Sequence, residues 1–290
     1  MEQGKIYLVG TPIGNLKDIT LRAIETLKMV DIILAEDTRQ TLKLLNHLEI
    51  SKPMISYHRH NEVDKIDEVK RLLDDGKQIA LVSDAGMPRI SDPGEALVET
   101  LINEGYKVEV IPGVTAVTTA IAYTNFDAAT FVFEGFLPMR PTRRREKLEK
   151  LKYETRAIAF YEAPHKLLVT LKDLYKFLGE RRICIARELT KLHEECRYST
   201  LSEQIERVDA EGIKGEIVLI VEGNEAGDEE KKKKQDEESG IDLLSDKELV
   251  EKYIEQGLTK KDAIKKVAKE RGKNKNEVYM ECVWWKKQKN

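Results

Sequence analysis

Short runs of apolar residues alternate along this chain with segments whose apolar residues recur at helical spacing, and that rhythm limits the fold more than any other feature. Lys5–Val9, residues 31–35, Met54–Ser56, residues 78–82 and Lys107–Ile111 read as strands. Between them Leu21–Met29, Thr38–His47, residues 63–75 and residues 94–104 read as helices. Gly76 and Gly105 stand where the last two helices must stop. Strand–helix–strand repetition of this kind predicts crossover connections and a largely parallel sheet covered on both faces. Beyond Pro112-Gly113 come a helix over 114–123, a strand over 131–135 and a helix over 142–151. A strand over 156–161, a helix over 166–178 and strands over Arg182–Arg187 and Ile217–Val221 follow. This second half has more strand character, which allows a mixed sheet.

Length and charge divide the chain further. At 290 residues it is long enough for two domains and a core that needs no disulfide or metal. Residues 1–225 carry 32 bases and 37 acids, whereas 241–290 carry thirteen bases and nine acids. Between them, 226–240 hold six acids, four lysines and no apolar anchor, the composition of a linker. The expected organisation is a parallel α/β domain over 1–114, a second α/β domain over 115–225 closing a cleft, the charged linker, and a small helical basic domain over 241–290. Its helices are expected over 245–256, 259–271 with Thr259 as cap, and 275–288. A basic appendage on an acidic body suits a polyanionic partner.

Other function classes find no support. Cys184, Cys196 and Cys282 are scattered, without a CxxC or Cys/His ligand spacing, so the expectation is idle thiols and no metal site. No apolar run approaches the roughly 20 residues of a membrane-spanning helix. The opening Met-Glu-Gln-Gly-Lys-Ile-Tyr lacks the apolar core of a secretory signal, so a cytoplasmic location is expected.

Ligands of open parallel sheets bind beyond the carboxyl ends of the strands. Three Gly/Pro-rich segments fall at such ends: 10–15, 83–94 and 112–116. Each alone is an ordinary turn; together they point to one site. There is no GxxxxGK[ST] phosphate loop and no GxGxxG after the first strand, which disfavours nucleoside triphosphates and dinucleotides. Gly10-Thr11-Pro12-Ile13-Gly14 instead offers carbonyls and apolar walls. Such walls suit a ligand with a positive centre and an adenine ring, and S-adenosylmethionine is one.

The run Val9-Gly10-Thr11-Pro12-Ile13-Gly14-Asn15-Leu16 resembles the opening of the ribosomal small-subunit methyltransferase I family, a branch of the tetrapyrrole-methylase-like superfamily. So do Ala35-Glu36-Asp37-Thr38-Arg39, Ser83-Asp84-Ala85-Gly86-Met87-Pro88 through Ile90-Ser91-Asp92-Pro93-Gly94, and Pro112-Gly113-Val114-Thr115-Ala116. The likeness continues in order through Glu134-Gly135-Phe136-Leu137-Pro138, Phe160-Tyr161-Glu162-Ala163-Pro164-His165, Arg187-Glu188-Leu189-Thr190-Lys191 with Glu194-Glu195, and Lys214-Gly215-Glu216. It implies a class III methyltransferase: two α/β domains with S-adenosylmethionine in the cleft between them, and a small helical appendage. The implied activity moves a methyl group to the 2′-hydroxyl of a decoding-centre cytidine in 16S rRNA, either free or in the small subunit, by a homodimer. Carried over by position, the cofactor would touch Pro12, Asp84, Ala85, Gly86, Ile90, Thr115, Ala116, Tyr161, Glu162, Gly215 and Glu216. The tetrapyrrole branch differs in its first loop and has Gly-Asp-Pro in place of Ala85-Gly86-Met87-Pro88.

Methylating a hydroxyl requires positioning and an acceptor for its proton. Glu188 or Asp37 is the expected acceptor, and Arg39, Arg187 and Lys191 are expected RNA or oxyanion contacts. Each has a structural alternative: Asp37 as cap of the helix at Thr38, Arg187 paired with Glu188, His165 as cap of the Lys166 helix. His58, Arg59 and His60 read as a solvated loop. Residues 140–152 hold seven bases and two acids, including Arg143, Arg144 and Arg145 as expected RNA contacts; residues 260–275 hold eight bases and two acids. Residues 258–278 resemble a helix-turn-helix with Gly272 at the turn, and Trp284-Trp285 either stack bases or pack on the tail's core. The alternatives to an rRNA methyltransferase are a methylase of a small tetrapyrrole and a non-catalytic nucleic-acid-binding regulator that works through the tail.

Overall fold

In the computed structural model, residues 3–227, 229 and 244–284 are described. The linker expected over 226–240 lies almost wholly outside them, and the readings of Trp284-Trp285 concern side chains outside them. The chain divides into two compact units, Met1–Asn224 and Glu225–Asn290.

The first unit holds two five-stranded sheets. In the first, β1 (Lys5–Val9), β2 (Ile32–Ala35), β3 (Met54–Ser56), β4 (Ile79–Val82) and β5 (Lys107–Ile111) lie in the order β3-β2-β4-β1-β5, all parallel. Side chains alternate between its faces. Tyr7, Val9, Ile33 and Ala35 pack with Ala23 and Leu27 of α1 (Leu21–Met29) and Leu45 of α2 (Thr38–His47). Ile6, Leu8, Leu34 and Leu81 pack against α3 (Glu62–Asp74) and α4 (Glu95–Asn103) on the other side. Burial on both faces explains why the inner strands β1, β2 and β4 read as apolar runs; β3 and β5, at the edges, are part-exposed.

The second sheet is mixed. β6 (Phe131–Phe136), β7 (Ala157–Glu162), β8 (Arg182–Arg187), β9 (Glu195–Thr200) and β10 (Ile217–Val221) run in the order β6-β7-β10-β8-β9, and only the β6–β7 pair is parallel. Its larger side chains, Ile158, Phe160, Ile183, Ile185 and Leu219, pack under α6 (Pro141–Leu151), α7 (Leu167–Leu178) and α8 (Leu201–Glu211). The other face carries Ala157, Ala159, Cys184 and Ala186, and meets α5 (Ala116–Ile121) and Ile13. Small residues there let the first loop of the parallel sheet approach closely. Neither β9 nor α8 is among the elements expected from the sequence; β9 is a half-exposed edge strand rich in polar residues and leaves no apolar pattern. Arg187 and Arg197 both grip Glu195 on it.

Among the described residues the second unit includes the helices α9 (Asp246–Glu255), α10 (Lys260–Glu270) and α11 (Lys275–Trp284). Ser245 and Glu248 form a reciprocal cap at α9, and Thr259 caps α10. Leu249, Tyr253, Ile264, Val267 and Val278 close its core. Gly272 takes φ 61° at the turn between α10 and α11.

Candidate active site

The three loops of the parallel sheet, far apart in sequence, meet at one rim. Thr11 and Gly86 form an isolated bridge, with N–H···O distances of 2.8 and 3.1 Å, and the buried Thr11 hydroxyl also donates to the Ser83 carbonyl. Gly10 is set against Gly113 so closely that a Cβ on it would sit 2.7 Å from the Gly113 backbone. Only glycine allows this approach. Arg89, Ser91, Glu188 and Thr190 adopt left-handed conformations, a strain that concentrates at functional sites.

These loops and the second sheet enclose a cavity of about 430 Å3. Its parallel-sheet wall presents Glu36, Asp84 and Asp92; the opposite wall presents Phe136, Tyr161, Leu189 and Val218. Tyr161 makes edge-to-face contacts with Phe133 and Phe136, at centroid distances of 4.9 and 5.7 Å. Among the described residues five acidic residues line this cavity (Glu36, Asp84, Asp92, Glu162 and Glu216) and no lysine or arginine does; the buried Glu162 carboxylate is held by the Ala163 N–H and the Thr170 hydroxyl. Burial and then the charge of Glu36 push Asp92 up to about 6. Burial likewise raises Asp84, and burial followed by the Asp84 charge raises Glu36. A site that holds crowded carboxylates in a poorly solvated wall favours a cation. The fit to S-adenosylmethionine is direct: carboxylates for the sulfonium, an aromatic and aliphatic wall for the purine.

Ten of the eleven positions expected to touch the cofactor line this cavity: Asp84, Ala85, Gly86, Ile90, Thr115, Ala116, Tyr161, Glu162, Gly215 and Glu216. Pro12 faces a second cavity of about 500 Å3, on whose wall lie Thr11, Gly14, Gln40, Lys43 and Lys191. Ile13, Asp84, Ala85 and Glu216 line both cavities and so form the boundary between them. Sequence reasoning passed over Glu36, Asp92 and Phe136 as contacts, although all three stand inside the quoted motifs. Arg59 is exposed in a loop, as expected; in addition its guanidinium donates to the Ser91 carbonyl at the cavity edge, and its charge is felt by Glu36 and Asp92.

Neither Asp37 nor Glu188 lines either cavity; each holds a boundary carboxylate residue. Asp37 caps α2 and binds the Arg39 guanidinium at 2.7 and 3.0 Å, which brings its carboxyl down to about 2. Its N–H donates to Asp84 Oδ1 at 3.0 Å. Glu188 accepts from the Glu216 N–H at 2.8 Å and from Lys191 Nζ at 3.0 Å, and these contacts lower its pKa. Gly215 beside it takes φ 93°, and a Cβ there would lie 2.5 Å from the Glu188 carboxylate.

The basic residues separate into two groups. Arg144 turns inward to Asp173 (2.6 Å) and the buried Thr170 hydroxyl (2.8 Å), which in turn donates to Glu162. Arg187 is held by Glu195 and the Lys214 carbonyl, not by Glu188. Lys191 spans Glu188 and Glu216. These three are committed to internal partners because each lies on or beside a packed element. Arg143 and Arg145 are exposed on α6, Arg145 paired with Glu149, and the Arg39 side chain is 87% exposed. His165 caps nothing: it is exposed in a 3-10 turn, Pro164–Lys166, ahead of α7.

A family model described as tetrapyrrole (corrin/porphyrin) methylases matches residues 5–205. The ribosomal RNA small subunit methyltransferase I of Halalkalibacterium halodurans is 48% identical over 281 residues, covering 96% of this chain and 94% of that one. The protein of the same name from Thermotoga maritima is 50% identical over 222 residues, covering 77% and 100%. This chain belongs to the ribosomal RNA small subunit methyltransferase I family. As a member it is a methyltransferase whose methyl donor is S-adenosylmethionine. Two solved structures share the fold at low identity. The methyltransferase CobJ has a TM-score of 0.59 at 18% identity, covering 76% of this chain and 94% of that one. The uroporphyrin-III C-methyltransferase of Thermus thermophilus complexed with S-adenyl homocysteine has 0.56 at 19%, covering 76% and 97%.

Proposed function

We propose that the chain methylates the ribose 2′-hydroxyl of a cytidine at the decoding centre of 16S rRNA. The observation that carries this reading is the cavity with carboxylates on one wall and aromatics on the other, set beside a second cavity that basic side chains reach. The names of the relatives support RNA as substrate. Held by the residues that line the first cavity, the cofactor would supply an electrophilic methyl group and a neutral thioether leaving group.

The protein's own residues do the rest. Glu36, Asp84 and Asp92 hold positive charge in place, and Tyr161, Phe136 and Leu189 keep water from it. Apposition of donor and hydroxyl supplies much of the acceleration. As the O–CH3 bond forms, the hydroxyl proton passes to a boundary carboxylate, and Asp84, with its raised pKa, is suited to receive it. Asp37 and Glu188 act one step back, as positioning residues that fix Asp84 and Glu216. Mass spectrometry of 16S rRNA from cells lacking the protein tests the proposal: one ribose methylation on a cytidine is lost and returns with the wild-type gene. Unchanged ribose methylation contradicts it.

A further inference from the structure

The two cavities differ in charge. Among the described residues the first is lined by five acidic residues and no base, the second by two lysines and two acidic residues. Lys191 is already engaged with Glu188 and Glu216. Lys43 is exposed on α2, and its ammonium donates to the neutral Gln40 Oε1 at 3.0 Å; no carboxylate pairs with it among the described residues. Arg39 stands four residues earlier on α2, the spacing that puts two side chains on one helix face.

Resting on the reading that a ribose is the acceptor, we propose that this second cavity receives the acceptor nucleotide, with its phosphate on Lys43. The shared boundary makes the assignment specific. A sugar seated at Ile13, Asp84, Ala85 and Glu216, where the two cavities adjoin, brings its hydroxyl up to a methyl group held in the first, with carboxylates within reach of that hydroxyl. A phosphate would be repelled by the first cavity and is drawn to the second, where an ammonium without an acidic partner waits at the helix surface. The apolar wall of the first cavity and Lys43 of the second thus serve different ligands that meet at the residues the two cavities share.

The test is steady-state methylation of small ribosomal subunits that lack the modification, using the full chain, Lys43→Ala and Lys43→Glu, with Lys28→Glu on exposed α1 as control. Cofactor affinity is followed by calorimetry. The expected result is a KM for subunits raised about tenfold in Lys43→Ala and further in Lys43→Glu. The dependence of log KM on log salt should become shallower by about 0.7 for each phosphate that the variant no longer neutralises. Cofactor affinity and the Lys28→Glu kinetics stay at wild-type values. Unchanged KM and salt slope in both Lys43 variants, with an active wild type, overturn the assignment alone. A wild type that binds cofactor yet methylates no subunit or 16S rRNA overturns the function proposal, and this assignment with it.

Discussion

The two walls of the first cavity reach the same ligand space by different physics. The parallel-sheet wall is built from loop carboxylates crowded in poor solvation, with pKa values pushed upward. The mixed-sheet wall is mainly aromatic and aliphatic, with Glu162 and Glu216 at its strand ends and small residues on the strands behind it. One wall reads charge; the other removes water, which strengthens every charge interaction opposite it. The pairing teaches that neither half is a binding site alone. An acidic wall open to solvent would be screened, and an apolar wall without carboxylates would not distinguish a sulfonium from a neutral sulfur.

The largest effect expected is from Asp84→Asn, on the charged wall at the boundary of both cavities. Single-turnover methyl transfer should fall roughly a hundredfold or more, the range of a missing proton acceptor. Next comes the opposite wall. Tyr161→Ala removes an edge-to-face aromatic pair and buried area, and should weaken S-adenosylmethionine and S-adenosylhomocysteine alike by about tenfold in calorimetry. A loss confined to the charged ligand would erase the distinction between the walls.

Acid should act on the charged wall only. Asp92 titrates near 6 when folded, against an ordinary value of 3.8. As pH falls through 6 it gains a proton, the cavity loses a negative charge, and affinity for the cationic cofactor drops. The stability sign is opposite: because the folded state holds that proton more tightly, Asp92 destabilises the fold above pH 6 and not below pH 4. Asp92→Asn should therefore raise Tm at pH 8, leave it unchanged near pH 4, and flatten the pH dependence of cofactor binding.

The smallest effects separate inward from outward arginines. Arg144→Ala should cost about 2 kcal/mol of stability by removing its charged hydrogen bonds, read by denaturant unfolding. Arg143→Ala should leave stability unchanged and reduce the salt dependence of rRNA binding.

The same contrast explains what the sequence made legible. Strands buried on both faces are written in near-continuous apolar runs, so the inner strands β1, β2 and β4 could be read directly, and β3 and β5 followed from their place in the strand–helix alternation. An edge strand need not be, and Glu195–Thr200 was invisible for that reason. The Thr200-x-x-Glu203 capping box ahead of Leu201, Ile205 and Val208 was the signal for α8. The residues that line the first cavity followed from loop motifs, since backbone placement fixes them. Arg144 and Arg187 did not follow, because whether a charged side chain turns to solvent or to Asp173 and Glu195 depends on tertiary neighbours that no local pattern encodes. Asp37 and Glu188, expected as proton acceptors, stand beside the cavity walls and not on them, since adjacency to a site and presence on its wall look alike in sequence.

The most direct test of the charge-reading wall is calorimetric titration of S-adenosylmethionine and S-adenosylhomocysteine into wild type and Asp92→Asn at pH 8. The substitution should weaken the sulfonium ligand several-fold more than the neutral thioether. Equal losses for the two ligands would contradict it, leaving the carboxylates with no part in recognising the methyl donor.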